Sequence, residues 1–224
     1  MVRAIIKALA AKTRQAFEDH AWAYMWDFYQ GRIDAFGFID KMAAEINNQF
    51  TRGWREGARQ VGVDPDEMTD EDKQTLADMI KGETDLLGGV AGDIENFQAP
   101  DGKDPDEAFR TKFKQRAVLW AQGYDDALSS AQLYFGGKQR LEWKLGPTEE
   151  HCHTGDNGRS GIGCVNLNGM VLYAAEWYAA NIKPQSSDTN CGGWQCRCKI
   201  TPTTKRRTSR GYEKLQAMMA EAGL

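Results

Sequence analysis

Five cysteines fall in the last third of this 224-residue chain and nowhere else: Cys152, Cys164, Cys191, Cys196 and Cys198. Two of its three histidines, His151 and His153, flank the first of them. Thiols scattered through a chain act as small buried hydrophobes. Thiols gathered with glycine and histidine act as crosslinks for a piece too small to hold itself together. Tetrahedral zinc takes four such ligands at about 2.0 to 2.3 Å. Here Cys152 and Cys164 would form an early pair, although eleven residues separate them. Cys191, Cys196 and Cys198 would form a late set, with Gly192 and Gly193 allowing a tight turn. Five thiols leave one to spare for a four-coordinate site. Cys198, farthest into the apolar strand that follows, is the first to drop, and His151 or His153 could replace a thiol. Two disulfides, or five separately buried thiols, satisfy the same composition. A catalytic zinc needs an open position and usually a carboxylate base. Glu149 and Glu150 are the nearest carboxylates, and at a loop they read as solvated surface.

Long helices must carry this module. Ile6, Leu9, Phe17, Ala21, Tyr24, Met25 and Phe28 recur at three- and four-residue steps, predicting a helix from Met1 to Gln30 closed by Gly31. A second helix is expected from Asp34 to Val61, striped by Phe36, Ile39, Met42, Ala43, Ile46, Phe50 and Trp54. Asp64-Pro65 lies beyond its end. Thr69 caps a third, with Leu76, Met79, Ile80, Leu87, Val90, Ile94 and Phe97 on one side of a single glycine-rich helix. Asp104, Pro105 and Glu107 open a fourth, whose stripe runs from Phe109 to Phe135. Gly136-Gly137 ends the periodicity. Short strands follow at Arg140–Lys144, Met170–Tyr173 and Arg197–Thr201, with short helices at Ala174–Asn181 and Tyr212–Ala222. The expected fold is mainly α: a long-helix bundle or arm with a small cysteine-rich, β-containing C-terminal module (α+β). Three parts are expected: helices over residues 1–139, a zinc module over 140–202, and a basic strip with a short helix over 203–224.

Composition narrows the classes further. Hydrophobic residues make up 41% and charged residues 27%, enough apolar matter for a real core, and the net charge of −4 does not make the whole surface a nucleic-acid magnet. No apolar run reaches the roughly 18 residues that cross a bilayer. Ile5 to Ala11 continues its helical period past Lys12 and Arg14, so it reads as an amphipathic helix rather than a signal peptide, and a reducing cytoplasm is expected, where thiol clusters favour metal. No nucleophile elbow, phosphate loop or dinucleotide fingerprint is present, and His20 stands alone in the first helix. The expectation is a non-enzyme. Lys205, Arg206, Arg207 and Arg210 form the one basic strip that could neutralise DNA phosphates. Trp22, Trp26, Trp54 and Trp177 could anchor a protein interface or fill helix cores.

The stretches Trp143-Lys-Leu-Gly, Glu150-His-Cys152, Gly163-Cys164-Val-Asn-Leu-Asn-Gly169 and Trp194-Gln-Cys196-Arg-Cys198 resemble the C-terminal module of tailed-phage minor head proteins, the Mu F-like head-morphogenesis family. Ala175-Glu-Trp177 through Ile182-Lys-Pro184-Gln, leading to Cys191-Gly-Gly, is similar to a recurring subtype. Two features depart from the family pattern: Cys152 and Cys164 are far apart where relatives carry Cys-x-x-Cys, and Cys191 stands roughly where many have histidine. The resemblance implies a structural virion protein, present in a few copies per particle in the head or neck, made in the host cytoplasm. It would contact portal or major capsid proteins during assembly or genome delivery, with packaged DNA a possible further partner of the basic strip. The alternative class is a zinc-dependent DNA-binding or nuclease module on a helical scaffold.

Overall fold

Helix-forming sequence governs the first two thirds of the chain in the computed structural model, which describes residues 2–146, 161–191 and 196–224, with side chains from Thr13 onward. The expectations placed on Glu149, Glu150, His151, Cys152 and His153, on Gly192 and Gly193, and on the side chains of Ile6 and Leu9 lie outside the described residues. The helices are α1 (Val2–Tyr29), α2 (Ala35–Gln60), α3 (Asp70–Thr84), α4 (Leu87–Glu95) and α5 (Pro105–Gly136). They are followed by β1 (Arg140–Lys144), α6 (Cys164–Leu167), β2 (Val171–Tyr173), α7 (Ala174–Ala179), β3 (Lys199–Pro202) and α8 (Gly211–Ala222). The protein is mainly helical, with a small antiparallel sheet and a cysteine cluster towards the C-terminus, an α+β arrangement.

Capping chemistry sets the helix starts. Thr69 and Asp72 form a reciprocal capping box at α3. The Glu107 backbone N–H donates to Asp104 Oδ1 at 2.9 Å, so Asp104 caps α5 one residue ahead of Pro105. The single third helix expected from sequence is instead two. Asp85 and Leu86 stay in helical dihedrals, but the Leu86 N–H donates to the Glu83 carbonyl, three residues back, and this tightened turn separates α3 from α4. Nothing packs against Gly82, which is exposed in the last turn of α3. Gly82→Ala is therefore expected to stabilise the protein by about 0.5 to 1 kcal/mol through helix propensity alone, read as a rise in the denaturant midpoint.

The chain forms two compact units, Met1–Arg52 with Thr69–Tyr124 and Gly53–Met68 with Asp125–Leu224. In the first, Phe17, Ala21 and Met25 of α1, Phe38, Met42, Ile46 and Phe50 of α2, Leu87 and Ile94 of α4, and Phe109, Phe113 and Ala117 of α5 are buried. Phe109 stacks on Tyr29 at 3.9 Å between ring centroids and on Phe113 at 4.4 Å. The start of the α2 stripe differs from expectation. Phe38 enters the core, whereas Phe36 is 79% exposed, because the buried face also runs through Glu45 and Gln49, which a count of apolar residues passes over. Their side chains bond to each other at 2.6 Å, and His20 Nδ1 lies 3.2 Å from Glu45 Oε2. His20 thus has a local partner on the helix scaffold.

In the second unit β1 is the central strand, antiparallel to β2 on one side and β3 on the other. Leu141, Glu142 and Trp143 are all buried, as befits a strand covered on both faces. Trp143 packs on Trp177, whose indole N–H donates to the Leu141 carbonyl at 3.3 Å. Trp54 and Trp177 are core residues of this unit and are not surface anchors; Trp22 and Trp26, in the first unit, are half-buried.

Candidate metal centre

Short backbone pairings, rather than a long element, bring the thiols together. The Ile162 N–H donates to the Asp188 carbonyl at 3.0 Å and the Asn190 N–H donates to the Ile162 carbonyl at 2.9 Å, which sets Ile162 opposite Thr189 in a parallel bridge. Two residues further on each segment come Cys164 and Cys191. The bridge therefore brings the stretch entering Cys164 alongside the stretch entering Cys191. The two sulfurs are 3.8 Å apart. Gly161 makes the approach possible. Its φ is +132°, and a Cβ there would lie 2.9 Å from the Asp188 carbonyl oxygen.

Cys196 arrives from the other direction. The pairing of Lys144 with Lys199 continues antiparallel past the end of β1, so Gly146 comes against Arg197, where a Cβ would meet the Arg197 backbone carbonyl carbon at 3.0 Å. This delivers the segment entering β3. The sulfurs of Cys164, Cys191 and Cys196 all lie within 4.8 Å of one another, and all three residues are buried. Three buried cysteines therefore stand close enough to bind one metal ion. Cys198 is also buried but does not join this group, and Cys152 lies outside the described residues. No disulfide joins Cys164, Cys191, Cys196 and Cys198.

The donor set fits a thiophilic ion. Sulfurs about 2.3 Å from a tetrahedral centre are about 3.8 Å from each other, the separation found for Cys164 and Cys191. Soft thiolate ligands select zinc, copper(I) or iron–sulfur chemistry over magnesium or calcium. Outer groups hold the ligands. Thr189 Oγ1 lies 3.2 Å from Cys191 Sγ and donates to the Ser186 carbonyl at 2.8 Å. The Cys164 N–H donates to Asn190 Oδ1 at 3.5 Å. Gln185 Nε2 donates to the carbonyls of Cys196 and Cys198. Sequence reasoning gave no role to Thr189, Asn190 and Gln185, since polar residues in a loop carry no periodic signal. All three fall within the seven residues that end at Cys191, and Gln185 closes the stretch Ile182-Lys-Pro184-Gln on which part of the resemblance rests.

The basic strip is largely engaged within its own unit. Lys205 pairs with the buried carboxylate of Glu142, and Arg210 Nε lies 2.9 Å from Glu213 Oε2. Arg207 grips Glu176 through two nitrogens, with Nε at 2.9 Å from Oε2. The Arg207 hydrogen bonds hold the Glu176 carboxyl below the ordinary glutamate range; burial opposes this, and the Tyr173 N–H adds to it. A lowered carboxyl contributes stability that is present above the ordinary glutamate range and lost as pH falls through the folded-state value. Thermal melts across that acid range should show a shallower loss of stability in Arg207→Gln than in the wild type.

No described helix is long and apolar enough to cross a membrane. No protein-family model, no curated protein and no solved structure matches this chain.

Proposed function

We propose that this is a non-enzymatic structural protein of the tailed-phage minor head class, whose C-terminal unit is clasped by a structural zinc ion. The observation that carries it is the convergence of Cys164, Cys191 and Cys196 in a buried cluster, because these cysteines belong to the motifs on which the resemblance to minor head proteins rests. Burial favours a structural ion, since a catalytic one needs an open coordination position reached by substrate. Zinc suits an all-sulfur closed site and brings no redox chemistry of its own. Cys152 is the expected fourth ligand. When bound, the ion supplies a crosslink among the segments that carry the ligands, and the chain's own residues do the rest. Thr189, Asn190 and Gln185 orient the ligand segments, and the sheet and Trp177 support them.

In this account the long helices offer extended surface to portal or major capsid proteins, in a few copies per particle, in the head or neck. A DNA contact through Lys205, Arg206, Arg207 and Arg210 would have to share cations that already face Glu142, Glu176 and Glu213. The test is mass spectrometry of purified particles from a phage or prophage encoding the chain, beside metal-dependent nuclease assays of the isolated protein. The expected result is the chain in particles at low stoichiometry, with no turnover. Absence from particles together with nucleic-acid cleavage would support the nuclease alternative instead.

A further inference from the structure

Gln185 holds a left-handed backbone conformation, φ +66°, which a residue with a long side chain adopts only where its surroundings over-determine it. Its amide nitrogen donates to two backbone carbonyls, those of Cys196 and Cys198, each at 3.1 Å. Its Oε1 is buried and has no hydrogen-bond partner among the described residues. A left-handed backbone is an unfavourable feature at a residue with a long side chain. What offsets it is the double hold on the segment from Cys196 to Cys198.

That hold has a geometric consequence. Fixing the carbonyls of two residues in one short segment fixes its rotation about its own axis. The direction in which Cys196 projects is then fixed as well. Gln185 also begins the turn that leads through Ser186 and Thr189 to Cys191, where Asp188 N–H donates to Ser186 Oγ and Thr189 Oγ1 donates to the Ser186 carbonyl. One loop thus carries Cys191 and grips the chain that carries Cys196. We infer that Gln185 is a positioning residue for the metal centre, setting the Cys196 thiolate against Cys164 and Cys191 before the ion arrives. This rests on the proposal that the cluster holds a metal.

The experiment uses the full-length protein with Gln185→Gly, which keeps the left-handed backbone without the amide, and Gln185→Glu, which keeps the size without the donors. Zinc affinity is measured by competition with a chromophoric chelator, and ligand geometry by the visible spectrum of the cobalt(II)-substituted protein. Both variants should bind zinc about 10- to 100-fold more weakly, the usual loss when an outer-shell partner is removed, with altered cobalt bands. Arg207→Gln, which breaks an ion pair elsewhere in the unit, should leave affinity and spectrum unchanged. Wild-type affinity and spectrum in either Gln185 variant would overturn the inference while leaving the metal centre standing. An equal loss in Arg207→Gln would overturn it too, as general destabilisation. A wild-type protein that takes up neither zinc nor cobalt would remove both the centre and the role of Gln185.

Discussion

Cys196→Ala is expected to release the metal and to lower the melting temperature of the C-terminal unit by about 10 °C or more. Structural zinc contributes about 10 to 16 kcal/mol of apparent binding free energy in small zinc-dependent folds, and that energy is folding energy where the unfolded chain has no site. Losing one of the three clustered thiols forfeits a substantial part of it. Even about 3 kcal/mol would move the midpoint of a unit this size by roughly that interval. Cys164→Ala and Cys191→Ala should behave alike, since their sulfurs share the cluster. Cys198→Ala separates ligand loss from cavity formation. Cys198 is equally buried and, among the described residues, does not belong to the cluster, so its replacement should keep the metal and cost about 1 to 2 kcal/mol. A chelator should destabilise the wild type and add little to the loss in Cys196→Ala. Scanning calorimetry with metal analysis of each variant reads both quantities.

Gly57→Ala should be among the most damaging single changes in the helices, although alanine is the better helix former by about 1 kcal/mol. A Cβ at residue 57 of α2 would lie 2.3 Å from the Leu128 carbonyl oxygen and 2.8 Å from Ala131 Cβ. The first of these is backbone in the middle of α5, which cannot swing away as a side-chain tip can. Overpacking of this kind costs about 1 to 3 kcal/mol where side chains give way, and more where backbone must move. The clash outweighs propensity, and a net loss of about 2 to 4 kcal/mol is expected. The same chemical change at Gly82, which faces open space, has the opposite sign. Paired urea denaturation of the two variants checks the contrast. Equal and small effects at both sites would mean that α2 and α5 do not approach as closely as Gly57 and Leu128 indicate.

Local chemistry made much of the fold legible. Thr69 and Asp72, or Asp104 before Pro105, mark helix starts because a capping bond spans only three residues of sequence. The strand around Trp143 shows as a short β-prone run, and the helix after Tyr173 as a short helical stretch, once Gly136-Gly137 ends the long periodicity. Long-range consequences were harder to see. The break at Asp85 and Leu86 uses ordinary helix residues in helical dihedrals, so nothing in their types announces it. Phe36 and Phe38 are equally apolar, and only the buried Glu45 and Gln49 reveal which of them shares the core face.

The candidate site divides in the same way. Cysteine type and clustering announced thiol chemistry, and three of the five thiols do lie together. The partnership of Cys164 with Cys191 was not legible, since it depends on a parallel bridge of single residues, Ile162 with Thr189, and so brief a pairing leaves no period in a sequence. Gln185 was equally hidden. Its role is carried by two donated hydrogen bonds and a left-handed backbone, neither of which residue type alone discloses.

X-ray absorption at the zinc edge of the full-length protein, with its metal content, bears most directly on the thiol cluster. One zinc per chain, with a first shell dominated by sulfur at about 2.3 Å and lost in Cys196→Ala, is the result expected. A protein purified without chelators that holds no stoichiometric metal, or one whose ion sits in a shell of light atoms and persists when Cys196 is replaced, would contradict it.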